Sequence, residues 1–298
     1  MKKYVSLLLG IVVIGAFVPF FIKATPSTKK TGETYIIKAI KTPENLTFAQ
    51  EVVPLHKQDI VERLDRELLV NTYWQSNGLL LIKRAHKYFP IIEPILAKHN
   101  IPNDFKYLAV IESGLQNVTS PAGARGFWQL LATTAKEYGL EVNDNVDERY
   151  HLEKATEAAC QYLLKAKEKF GTWTEAAAAY NIGIQGLSRR LIEQQVTSYY
   201  DLLLPDETSR YVPRIIAIKE ILSKPYDFGF VYDKNDLYKL PQYRSVKIDT
   251  AITNIASFAK KFDTNYKEIK LLNPWLRENV LNNRSRKMYE IKLLTQEE

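Results

Sequence analysis

Residues 108–130 read LAVIESGLQNVTSPAGARGFWQL, and the expectation for the fold grows outward from them. Leu108 to Ile111 are apolar, one carboxylic acid follows at Glu112, and Gly114, Pro121, Gly123 and Gly126 then break regular structure before the pair Trp128-Gln129. Asn103 or Asp104 can cap a helix that runs through Phe105, Leu108 and Ala109 to Glu112. Those positions are spaced i, i+3, i+4 and i+7, so the acid shares a helical face with three apolar side chains. On position alone, an exposed glutamate at a helix end is the ordinary reading. Val110 and Ile111 beside it argue against a solvated face. A carboxyl among apolar groups loses hydration, which raises its pKa and keeps it protonated near neutral pH.

The flanking sequence is helical in period. Ile60, Leu64, Leu68 and Leu69 recur at three- and four-residue steps, and residues 79–99 form a second periodic run in which Pro90 and Pro94 predict kinks or short breaks. Residues 127–138 predict a helix stopped by Gly139. Residues 153–170 predict an amphipathic helix with Ala155, Ala159, Tyr162, Leu163, Ala166 and Phe170 inward and Gly171 as its stop. Thr172 or Thr174 can cap an alanine-rich helix that ends at Asn181 and Gly183. Residues 211–222 predict another, with Ile215, Ile218 and Leu222 on one side and Pro213 confined to its first turn. The block 55–223 therefore reads as all-helical.

Past Pro225 the chain becomes aromatic and loses helical period, so residues 224–242 read as a linker with isolated strands. Residues 243–298 then give a strand-like YRSVKI, helical runs over 251–262 and 266–272, and a strand-like YEIKLL. That order describes a small α+β module. The expected fold class is thus mainly α, an all-helical domain followed by a small α+β unit.

At the amino terminus, Lys2 and Lys3 precede an uncharged run over residues 4–22 that ends at Lys23. About twenty apolar residues are needed to cross a bilayer core, and leading lysines favour a cytoplasmic amino terminus with the body exported. Residues 1–23 are therefore expected to be a transmembrane signal anchor, with a cleaved signal peptide as the rival reading. Residues 24–54, rich in Thr, Lys and Pro, read as a tether.

Composition narrows the chemistry. The 298 residues carry 41 Lys+Arg against 34 Asp+Glu, a formal charge of +7 that suits an anionic partner such as lipid or wall polymer. The excess is modest and spread along the chain, so a nucleic-acid partner is not expected. The lone Cys160 excludes an internal disulfide and any multi-cysteine zinc site, and its alanine-rich surroundings mark it as a small buried filler. No glycine-rich phosphate loop occurs, and His56, His86, His99 and His151 form no ligand pair. A metal or nucleotide cofactor is not expected, nor is a serine hydrolase, for want of a G-x-S-x-G elbow. What remains is Glu112, an acid suited to glycoside chemistry.

Four motifs in order, AVIESGL (109–115), SPAGARGFWQL (120–130), AYNIG (179–183) and ETSRYVPRIIAI (207–218), resemble the soluble-type lytic transglycosylase domain over residues 80–223. With the anchor and the carboxy-terminal module, the chain resembles the membrane-bound lytic murein transglycosylase D family. The resemblance implies a lysozyme-like helical domain, in the periplasm or otherwise outside the cytoplasmic membrane. It further implies non-hydrolytic cleavage of the β-1,4 bond between N-acetylmuramic acid and N-acetylglucosamine in peptidoglycan glycan strands. Glu112 would protonate the leaving oxygen and then take the proton of the C6 hydroxyl, closing a 1,6-anhydro ring, with the sugar's own N-acetyl group assisting.

By motif match, Ser113 and Gln129 would contact sugar or orient the acid, Tyr180 and Asn181 would face them across the cleft, and Glu207 and Tyr211 would pack beside the site. Read without the match, Tyr180 is a core tyrosine and Asn181 a helix stop. Two alternatives on the same fold are a goose-type-lysozyme-like hydrolase, for which Glu207 is the candidate second carboxylate, and a catalytically silent wall-binding scaffold. The chain departs from the family pattern at Leu130-Leu131-Ala132, where a Phe-Met-Pro-like continuation is expected, and the loop 116–120 is a residue short. The carboxy-terminal module resembles a degenerate LysM domain through LNPWL (272–276), with Ile248-Asp249-Thr250 in place of a Gly-Asp-Thr opening.

Overall fold

The computed structural model describes residues 37–295; the apolar run expected as an anchor and residues 24–36 of the expected tether lie outside them. The chain divides after Lys38, and the described residues from Ala39 onward form one compact unit. Before the division only Ile37 and Lys38 are described, and they carry no regular structure. The compact unit is mainly helical and ends in a small α+β module.

That unit begins with a hairpin. Strands β1 (Thr47–Phe48) and β2 (Glu51–Val52) pair antiparallel, Thr47 against Val52 and Phe48 against Glu51. The composition of residues 24–54 predicts only a tether, yet Leu46, Phe48, Ala49 and Val53 are buried in the main core. Ala49 and Gln50 make the turn at φ of +50° and +68°, and two left-handed residues give a tight turn whose twist matches the paired strands. The Ala49 N–H donates to Asp104 at 2.7 Å, and Lys219 donates to the Thr47 carbonyl at 2.8 Å. Asp104 is therefore spent on a tertiary link rather than as a helix cap.

The body comprises α1 (Gln58–Tyr73), α2 (Gln75–Lys98), α3 (Lys106–Ser113), α4 (Ala132–Glu137), α5 (Leu152–Phe170), α6 (Trp173–Ile182), α7 (Ile184–Glu193), α8 (Asp206–Ser209) and α9 (Tyr211–Ser223). In α1, Ile60, Leu64 and Leu68 point into the core as their spacing predicts, joined by Glu67, whereas Leu69 is exposed. Pro90 and Pro94 do not break α2, which is continuous through both. Both prolines are exposed, so water can satisfy the carbonyls one turn earlier that lose an N–H partner. Cys160 is buried in α5, and burial pushes its thiol up to about 12, as a filler position requires. Thr172 caps α6, accepting from the Glu175 N–H, and Glu51 adds acceptors for the N–H groups of Trp173 and Thr174 at 2.6 and 2.8 Å. These satisfy donors that a helix start leaves without an internal partner.

Two stretches differ from expectation. The helix predicted over 127–138 starts only at Ala132, because the preceding carbonyls are used elsewhere. Arg125 N–H and Arg149 both donate to the Leu130 carbonyl, and Tyr180 donates to that of Trp128. Residues 224–242 contain no strand, only 3-10 turns over Pro225–Phe228 and Lys234–Asp236, and Phe230 packs into a core with Leu68, Ile82 and Ile221.

In the module, β3 (Tyr243–Ile248), α10 (Ile255–Lys260), α11 (Tyr266–Leu272) and β4 (Tyr289–Leu294) follow the predicted order, with β3 and β4 antiparallel from Tyr243–Leu294 to Ile248–Tyr289. It is joined firmly to the body. Val146 and Tyr150 lie in its core, the Asp147 N–H donates to Trp275 and the Arg277 N–H to Asn145, both at 2.9 Å, and Lys287 and Tyr289 reach Glu141 at 2.7 and 2.8 Å. Among the described residues, no helix is long and apolar enough to cross a membrane and no cluster of side chains could hold a metal ion.

Candidate active site

Helix α3 is apolar on its buried side, with Tyr107, Leu108, Ala109 and Val110 in the core. It stops at Gly114, whose φ of +59° lets its N–H return to the Val110 carbonyl at 2.8 Å. Glu112 thereby sits in the last turn, at the floor of a cleft of about 460 Å³. Its walls come from α1 (Glu67, Val70), Trp74 between α1 and α2, α9 (Arg214, Ile218) and the residues after α3 (Gln116, Val118).

Burial raises the Glu112 pKa to about 7, against the Tyr211 hydrogen bond and the Arg214 charge, which lower it; the Glu207 charge adds to the rise. The carboxyl is thus poised between acid and base near neutral pH. The Tyr211 hydroxyl donates to Glu112 Oε1. Tyr211 is itself buried, and burial with the neighbouring Glu112 holds its pKa well above the ordinary value, so it stays a donor.

The other expected residues divide by role. Ser113 is buried, and its hydroxyl is shared between the carbonyls of Ala109 (3.1 Å) and Phe127 (2.8 Å), tying α3 to the loop. Gln129, at φ +47°, donates its amide to the carbonyls of Gly126 (2.8 Å) and Val118 (3.1 Å). Tyr180, half-buried, donates to the Trp128 carbonyl at 2.7 Å and lies within electrostatic reach of Glu112. Ser113 lines the cleft itself, whereas Gln129 and Tyr180 hold the backbone of the loop behind it. Asn181 is half-buried and Glu207 exposed, and neither side chain makes a hydrogen bond or ion pair among the described residues. Gly126 serves the protein's own backbone, since a Cβ there would lie 2.0 Å from the Arg149 carbonyl oxygen.

Sequence reasoning missed an ion cluster in the same cleft. Glu67, 2% exposed, accepts from Arg66 and Arg210, each at 2.7 Å, on one oxygen and from Arg214 at 3.0 Å on the other. The available signal is that Glu67 falls on the inward face of α1 with Ile60, Leu64 and Leu68. Both of its oxygens are occupied, so Glu67 acts as a fixed counter-charge for three guanidinium groups rather than as a base for water.

Comparison with known proteins agrees with this reading of two parts. Residues 89–202 match the family model of the transglycosylase SLT domain, and residues 244–297 match that of the soluble lytic transglycosylase C-terminal LysM-like domain. The chain is 32% identical over 152 residues to the membrane-bound lytic murein transglycosylase D of Escherichia coli strain K12, and equally to that of a second Escherichia coli strain. Each match covers 49% of this chain and 34% of the relative, so the chain spans about a third of the length of the relatives it matches.

Proposed function

We propose that the protein is a peptidoglycan lytic transglycosylase with a lysozyme-like catalytic body and a LysM-like module. The body would run from the hairpin at Leu46 to residue 223, with residues 224–242 as a packed connection and 243–298 as the module. The observation that carries the reading is a single carboxyl, Glu112, held near a pKa of about 7 at the floor of an open cleft. The other carboxylate lining that cleft, Glu67, has both oxygens engaged by arginines.

Glu112 in its protonated form would donate to the glycosidic oxygen between N-acetylmuramic acid and N-acetylglucosamine. The sugar's own acetamido group would stabilise the oxocarbenium-like centre, as in substrate-assisted glycosidases. The resulting carboxylate, steadied by Tyr211 and Arg214, would take the C6 hydroxyl proton as that oxygen closes on C1. Asn181 and Glu207, whose side chains have no partner among the described residues, would be free to meet sugar, while Ser113, Gln129 and Tyr180 hold the loop beside the acid. A membrane anchor over residues 1–23, with the body on the far side of the cytoplasmic membrane, accords with the name of the relatives and with the basic-then-apolar amino terminus.

Incubation of the protein with purified sacculi, followed by mass analysis of the muropeptides, tests this. Products one water lighter than their reducing-end counterparts are expected. Reducing ends alone would assign a hydrolase to the same fold, and no release of muropeptides would assign a binding scaffold.

A further inference from the structure

The Glu112 cleft does not end at α3. Gln116 lines both that cleft and a neighbouring cavity of about 300 Å³ whose wall includes Arg84, Lys87 and Asn117. Lys87, Tyr88, Asn117 and Phe127 also line a third cavity, of about 280 Å³, closed on its far side by Leu271, Trp275 and Lys292 of the module. The three cavities thus lie side by side, from the acid along the loop after α3 to the seam between body and module, and together outline a groove.

The charges along it are unequal. Arg84, Lys87, Tyr88 and Ile91 lie at i, i+3, i+4 and i+7, so a single face of α2 forms the floor. Among the described residues neither Arg84 nor Lys87 has an acidic partner; Arg84 donates to the Gly114 carbonyl at 3.1 Å, and Lys87 lies over the Tyr88 ring at 5.1 Å. The acid at the far end, Glu153, is already neutralised. Burial alone would raise its pKa, but His151 and Lys292 together hold it at about 2, and Lys292 donates to it directly. The groove thus presents two uncompensated cations beside apolar and aromatic walls.

We propose that this groove, walled on one side by the LysM-like module, is a second substrate site that takes the carboxylate-bearing peptide attached to the glycan strand. The inference rests on the proposed function, which places a glycan in the adjoining cleft. A linear sugar chain bound over Glu112 carries its peptide substituents laterally, and the groove leaves the cleft laterally past Gln116 and Asn117. Lys87 and Arg84 meet the carboxylates, while Leu271, 68% exposed on α11, offers apolar contact from the module.

The test compares peptide-bearing glycan strands with the same strands stripped of peptide by an amidase, using the full chain. The wild type is expected to favour the peptide-bearing strands in kcat/KM, less so at high salt. Lys87→Glu and, independently, Leu271→Glu are expected to reduce that preference by about tenfold, the scale of a charge set against a docking partner. Because Leu271 is exposed and Lys87 forms no ion pair among the described residues, both variants should melt like the wild type. A wild type active on both polymers with no preference, or variants that lose activity equally on both, would overturn the inference alone. A wild type inert on both would overturn the proposed function, and the inference with it.

Discussion

The Tyr211 hydroxyl donates to Oε1 of Glu112 across 99 positions of sequence, joining the first residue of α9 to the last turn of α3. Both groups are largely desolvated, so the bond decides how readily the carboxylate form appears. A hydrogen bond to an anion favours the anion, which opposes the rise that burial imposes on Glu112.

Tyr211→Phe should therefore raise the Glu112 pKa further. In the proposed mechanism Glu112 acts first in its protonated form, so the alkaline limb of the pH–rate profile is expected to move upward, by roughly one unit for a bond to a charged group worth about 1.5 kcal/mol. The maximal rate should fall in the proposed mechanism, because a carboxyl of higher pKa gives up its proton to the glycosidic oxygen less readily. Steady-state rates on sacculi between pH 5 and 9, spanning the Glu112 pKa of about 7, measure the limb. A downward displacement would contradict the role given to Tyr211.

Glu112→Gln should abolish turnover, a loss on the order of 10²- to 10⁴-fold or more for a positioned general acid, and it should stabilise the fold in a pH-dependent way. A carboxyl whose folded pKa is about 7 against 4.5 binds a proton in the folded state that the unfolded chain has released. Stability is then greatest below pH 4.5 and falls as pH rises toward 7. The total effect is on the order of 3 kcal/mol. The variant removes that penalty, so its melting temperature is expected to exceed the wild type's at pH 8 and to match it at pH 4. Equal melting at both values would mean that Glu112 is not desolvated.

Glu67→Gln leaves Arg66, Arg210 and Arg214 facing a neutral amide. Breaking a buried ion cluster by removing one member costs about 3–5 kcal/mol, but Arg66 and Arg214 reach solvent with side-chain exposures of 50% and 27%. About 2 kcal/mol is the better expectation here, read from denaturant unfolding. Arg214, no longer counterbalanced, should also draw the Glu112 pKa down and move the alkaline limb of activity toward lower pH. A stability loss with an unmoved limb would make Glu67 purely structural.

Much of this was readable along the chain. The helical faces of α1 and α5, the apolar helix leading to Glu112, and the strand-helix-helix-strand order of the module follow from the spacing of apolar residues, whereas α9, expected to bury only the side of Ile215, Ile218 and Leu222, is buried nearly all round, with Val212, Ile216, Ala217 and Ile221 in the core as well. The hairpin at β1 and β2 was hidden for a local reason. Its turn is made by Ala49-Gln50 instead of the usual Asn-Gly signal, and the surrounding composition resembles a tether. The late start of α4 was hidden for a tertiary one, since the Trp128 and Leu130 carbonyls are claimed by Tyr180 and Arg149, 52 and 19 positions away.

By itself, the sequence determined the helical class, the order of the parts and the acid at the end of α3. Only the tertiary structure decided what that acid can do. Its pKa depends on burial, on Tyr211 and on Arg214, which Glu67 holds in place from α1. It was likewise the packing of the module on Val146 and Tyr150 that closed a groove beside the cleft. Periodicity records which face of an element is buried. Desolvation and charge at a site depend on groups that meet from distant parts of the chain, and no local pattern encodes that meeting.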